Sequence, residues 1–87
     1  MLEKREFYIN GRWVSPAKAN DLNVIDPSTE EVCAVISMGD QADTDAAVAA
    51  AREAFDSWSQ VPAEERIALV EKLADIYEAR NDEMGEA

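Results

Sequence analysis

The side chain best able to do covalent chemistry in this chain is a single cysteine, Cys33, and there is no histidine to assist it. Without an imidazole, neither a Ser/His/Asp triad nor a Cys/His pair can be built from these residues. A Cys/His zinc cluster is excluded for the same reason. Cys33 stands among Val32, Ala34 and Val35, with no adjacent cation to favour a thiolate. That setting predicts a packed strand thiol rather than a nucleophile. Asp43, Asp45, Asp56 and the Glu64-Glu65 pair are the carboxylates that merit a test as acids, bases or metal ligands. A hard cation needs several oxygens converging at short range. Their spacing instead suits helix caps and solvated charge near helix starts. Trp13 and Trp58 could form a stacking platform, but Trp58 falls on an apolar stripe with Phe55, so packing is expected. Gly11, Gly39 and Gly85 are too scattered for a phosphate-cradling loop or a dinucleotide fingerprint.

Composition narrows the partners. The net charge is −11, from 19 acidic and 8 basic residues. Nucleic acid and anionic membrane surfaces both demand a basic footprint, which is missing. Solvated helix faces account for most of this acidity. Apolar residues make up 47% of the chain, too many for a disordered segment. Yet a chain this short buries only about 60–65% of its unfolded surface, so its core would be marginal alone. The start lacks the apolar run of a signal peptide, and one cysteine leaves no internal disulfide. These features read as a soluble, cytoplasmic protein.

The elements that would position these side chains change character near residue 39. Phe7-Tyr8-Ile9 and Arg12-Trp13-Val14 flank Asn10-Gly11, a strong turn signal. They form either a tight hairpin or one bulged strand. Leu22 to Ile25 and Glu31 to Ile36 are two more strands, joined by a turn at Asp26-Pro27-Ser28-Thr29-Glu30 and expected to pair antiparallel. Beyond Gly39, Asp40 or Asp43 can cap a helix whose Val48, Ala51, Phe55 and Trp58 share one face. Pro62 suits the first position of a second helix. Ile67, Val70, Leu73, Ala74 and Tyr77 make its stripe, and Leu69 and Ile76 widen it. So wide a face implies burial on more than one side. Asn81-Asp82 offers a break or a new cap. The segment therefore reads as a short antiparallel β element over about residues 7–36, followed by two α-helices over about 41–58 and 62–80.

Three stretches, taken in order, resemble the aldehyde dehydrogenase superfamily. Phe7-Tyr8-Ile9-Asn10-Gly11-Arg12-Trp13-Val14 is similar to the family's opening pattern of an aromatic, Ile, Asn/Gly and Trp-Val. Val24-Ile25-Asp26-Pro27-Ser28-Thr29-Glu30-Glu31-Val32 is similar to its Asn-Pro-x-Thr-Gly-Glu-Val turn. Ala42 to Phe55, then Trp58, then Pro62-Ala63-Glu64-Glu65-Arg66 resembles its first helix and the start of its second. The resemblance runs from about Phe7 to Ala87. Two departures stand out: Glu30 takes the place of the usual glycine, and Asp26 that of the usual asparagine.

The resemblance implies an α/β parent fold in which residues 1–87 are one incomplete domain, the N-terminal part of a Rossmann-like cofactor-binding domain, with strands over 7–36 and helices over 40–87. It implies a homo-oligomeric enzyme that oxidises an aldehyde to a carboxylic acid with NAD or NADP. In that chemistry a cysteine thiolate attacks the aldehyde, hydride passes to the nicotinamide and a glutamate activates water. An asparagine and a backbone N–H stabilise the oxyanion. The motifs for these roles lie downstream of the segment, so no catalytic or cofactor-binding residue is expected in it, nor cofactor binding by it alone. Cys33 does not match the catalytic cysteine. Some members bind a monovalent cation through backbone carbonyls before the Asn-Pro turn, and the matching positions are Val24 and Ile25. The competing reading is a stand-alone, non-catalytic acidic α+β module for interaction or oligomerisation.

Overall fold

The computed structural model describes residues 1–87. Its strands are β1 Leu2–Lys4, β2 Phe7–Ile9, β3 Arg12–Val14, β4 Asp21–Ile25 and β5 Val32–Ser37. The helices are α1 Gln41–Trp58, α2 Ala63–Ala79 and α3 Asn81–Glu86. The chain divides into two compact units, Met1–Phe55 and Asp56–Ala87.

In the first unit, Asn10 and Gly11 close β2 onto β3 as a tight hairpin rather than a bulged strand. Both turn residues take positive φ, 55° and 75°. This is the twist that a two-residue hairpin turn requires, and Asn-Gly supplies it with little strain. Phe7 lies opposite Val14, Tyr8 opposite Trp13 and Ile9 opposite Arg12.

β4 and β5 pair antiparallel, as their short connection predicts, with Leu22 opposite Ile36 and Val24 opposite Ala34. The register shifts between Val24 and Ile25, a bulge at the turn end of the ladder. The turn is held by its own side chains: the Ser28 N–H donates to Asp26 Oδ1 at 2.8 Å, and the Glu31 N–H to Thr29 Oγ1 at 3.3 Å. The Glu30 N–H donates to the Asp26 carbonyl at 2.7 Å. Glu30 takes φ 61°, so the conformation that a glycine would adopt freely is imposed on a glutamate.

β1 extends the antiparallel element expected from the sequence. Leu2–Lys4 pairs parallel with Ala34, Val35 and Ile36, so the three-stranded sheet is mixed, in the order β1-β5-β4. A three-residue strand carrying Glu and Lys shows no alternation strong enough to read in isolation. It is held at its end by Ser37, whose hydroxyl donates to the Arg5 carbonyl at 2.7 Å. The Arg5 guanidinium meets Asp21 at 3.0 Å and Glu3 at 3.1 Å, which links the two outer strands. Those carboxylates raise its pKa above the ordinary arginine value, Asp21 having the larger effect. All three groups are substantially exposed, so the pairs set register more than they add stability.

Burial in the strands is shallow. Val35 is the one buried apolar side chain, at 6% exposure, and Ser37 is the one buried polar residue.

α1 begins at an interlocked cap. Asp40 Oδ1 accepts from the N–H groups of Ala42 (3.0 Å) and Asp43 (3.3 Å), while Asp43 Oδ2 accepts from the Asp40 N–H at 3.1 Å. This is a capping box with aspartate as its returning acid. In the second unit, α2 starts at Ala63 with Pro62 one position earlier, as the N-cap, than the sequence implied. The Pro62 carbonyl accepts from Glu65 at 3.1 Å and Arg66 at 3.3 Å. Arg80, at φ −111° and ψ 21°, breaks the helix and α3 begins after it. The Arg80 guanidinium forks onto Glu83 at 2.7 and 3.0 Å, which draws the Glu83 carboxyl below its ordinary value.

Glu30→Gly should relieve the positive-φ penalty, partly offset by the added freedom of the unfolded chain. The net gain expected is about 0.5–1 kcal/mol, read as a higher urea midpoint. An unchanged or lower midpoint would show that Glu30 is not strained in the folded turn.

Candidate functional site

The three features that could act are the junction at the start of α1, the turn end of β4–β5, and the apolar faces of α1 and α2. The junction arises because Asp43 serves two segments at once. One oxygen closes the capping box, and Oδ1 accepts from the Ala17 N–H at 2.9 Å. The loop after β3 is thereby pinned to the first turn of α1. The sequence offered Asp40 and Asp43 as alternative caps, and the structure uses both. The Asp-x-x-Asp spacing was the available signal for this reciprocity. The contact with Ala17 lies 26 residues away in sequence and has no local signature. The Ala17 N–H, followed by the Asp40 N–H, holds the Asp43 carboxyl below its ordinary value of 3.8.

Between the hairpin and α1 runs a cleft of about 480 Å³ that includes Arg12, Val14, Asp43, Ala46, Ala50 and Glu53 in its lining. Beside it, Gly39 lies close to Phe7, whose ring tip would stand 3.6 Å from a Cβ built there. Tyr8 and Trp13 stack across the hairpin with centroids 5.1 Å apart and planes tilted by 56°. Both remain exposed. Asp45, Asp56, Glu64 and Glu65 sit in the helices as isolated solvated charges, and no group of three His, Cys, Asp or Glu side chains converges to hold a metal.

At the other end of the sheet, the bulge separates Val24 from Ile25. The Val24 carbonyl accepts from the Cys33 thiol at 3.4 Å. A thiol is a weak donor and a carbonyl has two lone pairs, so this oxygen keeps acceptor capacity. Cys33 corrects an expectation: it is exposed, not packed. It shares strand parity with the buried Val35 and Ser37, but it stands nearest the turn, where burial has not yet begun.

The helices carry the largest departure from a finished protein surface. Neither α1 nor α2 contains a buried residue. Val48, Phe55 and Trp58 on α1 are at least half exposed, and on α2 exposure reaches 66% at Leu73. Phe55 receives partial cover from the Arg52 guanidinium, 5.0 Å above its ring. On the second unit a cleft of about 390 Å³ is lined by Leu73, Ile76, Tyr77, Arg80, Glu83 and Met84. Trp58, expected to pack, is likewise half exposed. Apolar patches this extensive mark a contact surface.

Comparison with known proteins decides the family. The family model described as aldehyde dehydrogenase family matches residues 13–87. The chain belongs to the aldehyde dehydrogenase family. A 3-succinoylsemialdehyde-pyridine dehydrogenase from Pseudomonas sp is 42% identical over 87 residues, covering 100% of this chain and 18% of that protein. Aldehyde dehydrogenase 1 from Tanacetum cinerariifolium is 41% identical over 81 residues, covering 91% of this chain and 16% of that protein. The crystal structure of an aldehyde dehydrogenase from Bartonella henselae matches 99% of this chain with a TM-score of 0.94 and 52% identity, and this is 18% of that chain. The chain thus spans less than a fifth of the length of these relatives. It corresponds to the family's N-terminal segment, as its motif order implied.

Two measurements test this geometry. Because Asp43 is depressed on folding, the stability it contributes is fully present above pH 3.8 and is lost as pH falls through its lower native value. Helicity followed by circular dichroism should fall on acidification through that window, and Asp43→Asn should flatten the profile; an identical profile in the variant would refute the role. Cys33 should react with a thiol reagent promptly and stoichiometrically without denaturant, whereas labelling that requires urea would show the strand to be covered.

Proposed function

We propose that these 87 residues are a scaffold segment of an NAD(P)-dependent aldehyde dehydrogenase subunit, opening its cofactor-binding domain. The complete enzyme oxidises an aldehyde to a carboxylic acid with NAD or NADP as oxidant, and works in the cytoplasm as a homo-oligomer. The supporting observation is the family match together with the uncovered faces of α1 and α2. Ile67, Leu69, Val70, Leu73, Ile76 and Tyr77 all stand well exposed on α2. At about 1.5 kcal/mol or more for each side chain fully buried, covering them and the α1 stripe is worth on the order of 10 kcal/mol. Total stabilities of domains are of this same size, about 5–15 kcal/mol. A face of that value calls for cover, and in this reading the rest of the subunit supplies it.

In this reading the cradle for the dinucleotide lies outside the 87 residues. Gly11 is committed to the hairpin turn, Gly85 lies within α3, and Gly39 stands alone before α1, where a phosphate loop would carry several glycines. In this reading the nucleophile, the base and the cofactor contacts come from outside the segment. Cys33 is not assigned as the nucleophile, since its thiol donates to the Val24 carbonyl on a strand and no histidine is present to act as its base. The Val24 and Ile25 carbonyls are proposed as part of a monovalent cation site. The bulge between them and the spare capacity of the Val24 oxygen fit that role, though further oxygens must come from elsewhere.

Exchange of segments tests the proposal. Placing these residues in the Bartonella henselae aldehyde dehydrogenase, in place of the matching stretch, should give a folded enzyme that reduces NAD or NADP in the presence of aldehyde. The isolated segment should produce no reduced cofactor. A chimera that folds but cannot turn over, or an active isolated segment, would overturn it. Within the chimera, Leu73→Ala should cost about 2–5 kcal/mol, while in the isolated segment the same change should stay within about 0.5 kcal/mol. Equal effects in both settings would mean that Leu73 is not covered in the subunit.

A further inference from the structure

We draw no further inference here: the strongest candidate, the acidic row of Glu64, Glu71, Asp75 and Glu78 beside the apolar stripe of α2, is a charged helix edge for which nothing in the structure shows what covers it.

Discussion

Apolar burial drives folding, and in this chain it is concentrated at a single strand residue. Val35 sits in the central strand of the mixed sheet with β1 on one side and β4 on the other. Phe7, Ile9, Val14, Val24, Ile36 and Val61 are partly covered, and the other large apolar side chains stand exposed. The observed order therefore rests on local devices: the Asn-Gly turn, the Asp40–Asp43 cap, the Asp26 turn and the Arg80–Glu83 fork. Each is worth about 2 kcal/mol at most. Such devices choose where elements begin and end, but they do not supply the cohesion of a domain. That cohesion has to come from the surface that α1 and α2 present.

Local chemistry is what a sequence displays best, and the outcome follows that division. The hairpin was legible because two adjacent residues that tolerate positive φ separate two apolar strands. The β4–β5 pair was legible because a five-residue turn leaves antiparallel pairing as the simple solution. Helix limits came within a residue or two, since Asp and Pro act at fixed positions of a first turn. What escaped was non-local. β1 finds its partner 32 positions along the chain, and Asp43 finds Ala17 across a loop. Neither partner leaves a mark near the residue concerned. Cys33 was misjudged for a related reason. Strand parity correctly put it on the face of Val35, but parity does not say how far along a strand the cover extends.

The width of the α2 stripe was also legible, and it carries the functional reading. A helix that exposes Leu69 and Ile76 on one flank and Ile67 and Val70 on the other is patterned for more than one neighbour. Membership of the aldehyde dehydrogenase family supplies the context for such a helix, since the relatives that share it are more than five times longer than this chain. The same membership explains why residue types that could do chemistry are so few. The polar side chains that do have a defined task cap helices and close turns.

The parallel pairing of β1 bears on the order of events at the ribosome. Synthesis proceeds from the N-terminus, so Leu2–Lys4 emerges first and Ala34–Ile36 much later. The β2–β3 hairpin needs only its own eight residues and can close within microseconds of release. β1 has to stay unpaired until β5 is available, and its pairing carries the entropy of closing that long loop. During this interval β1 is a bare edge, able to pair with any extended segment nearby. Glu3 and Lys4, charged and pointing to opposite sides of so short a strand, make it a poor template for that mispairing.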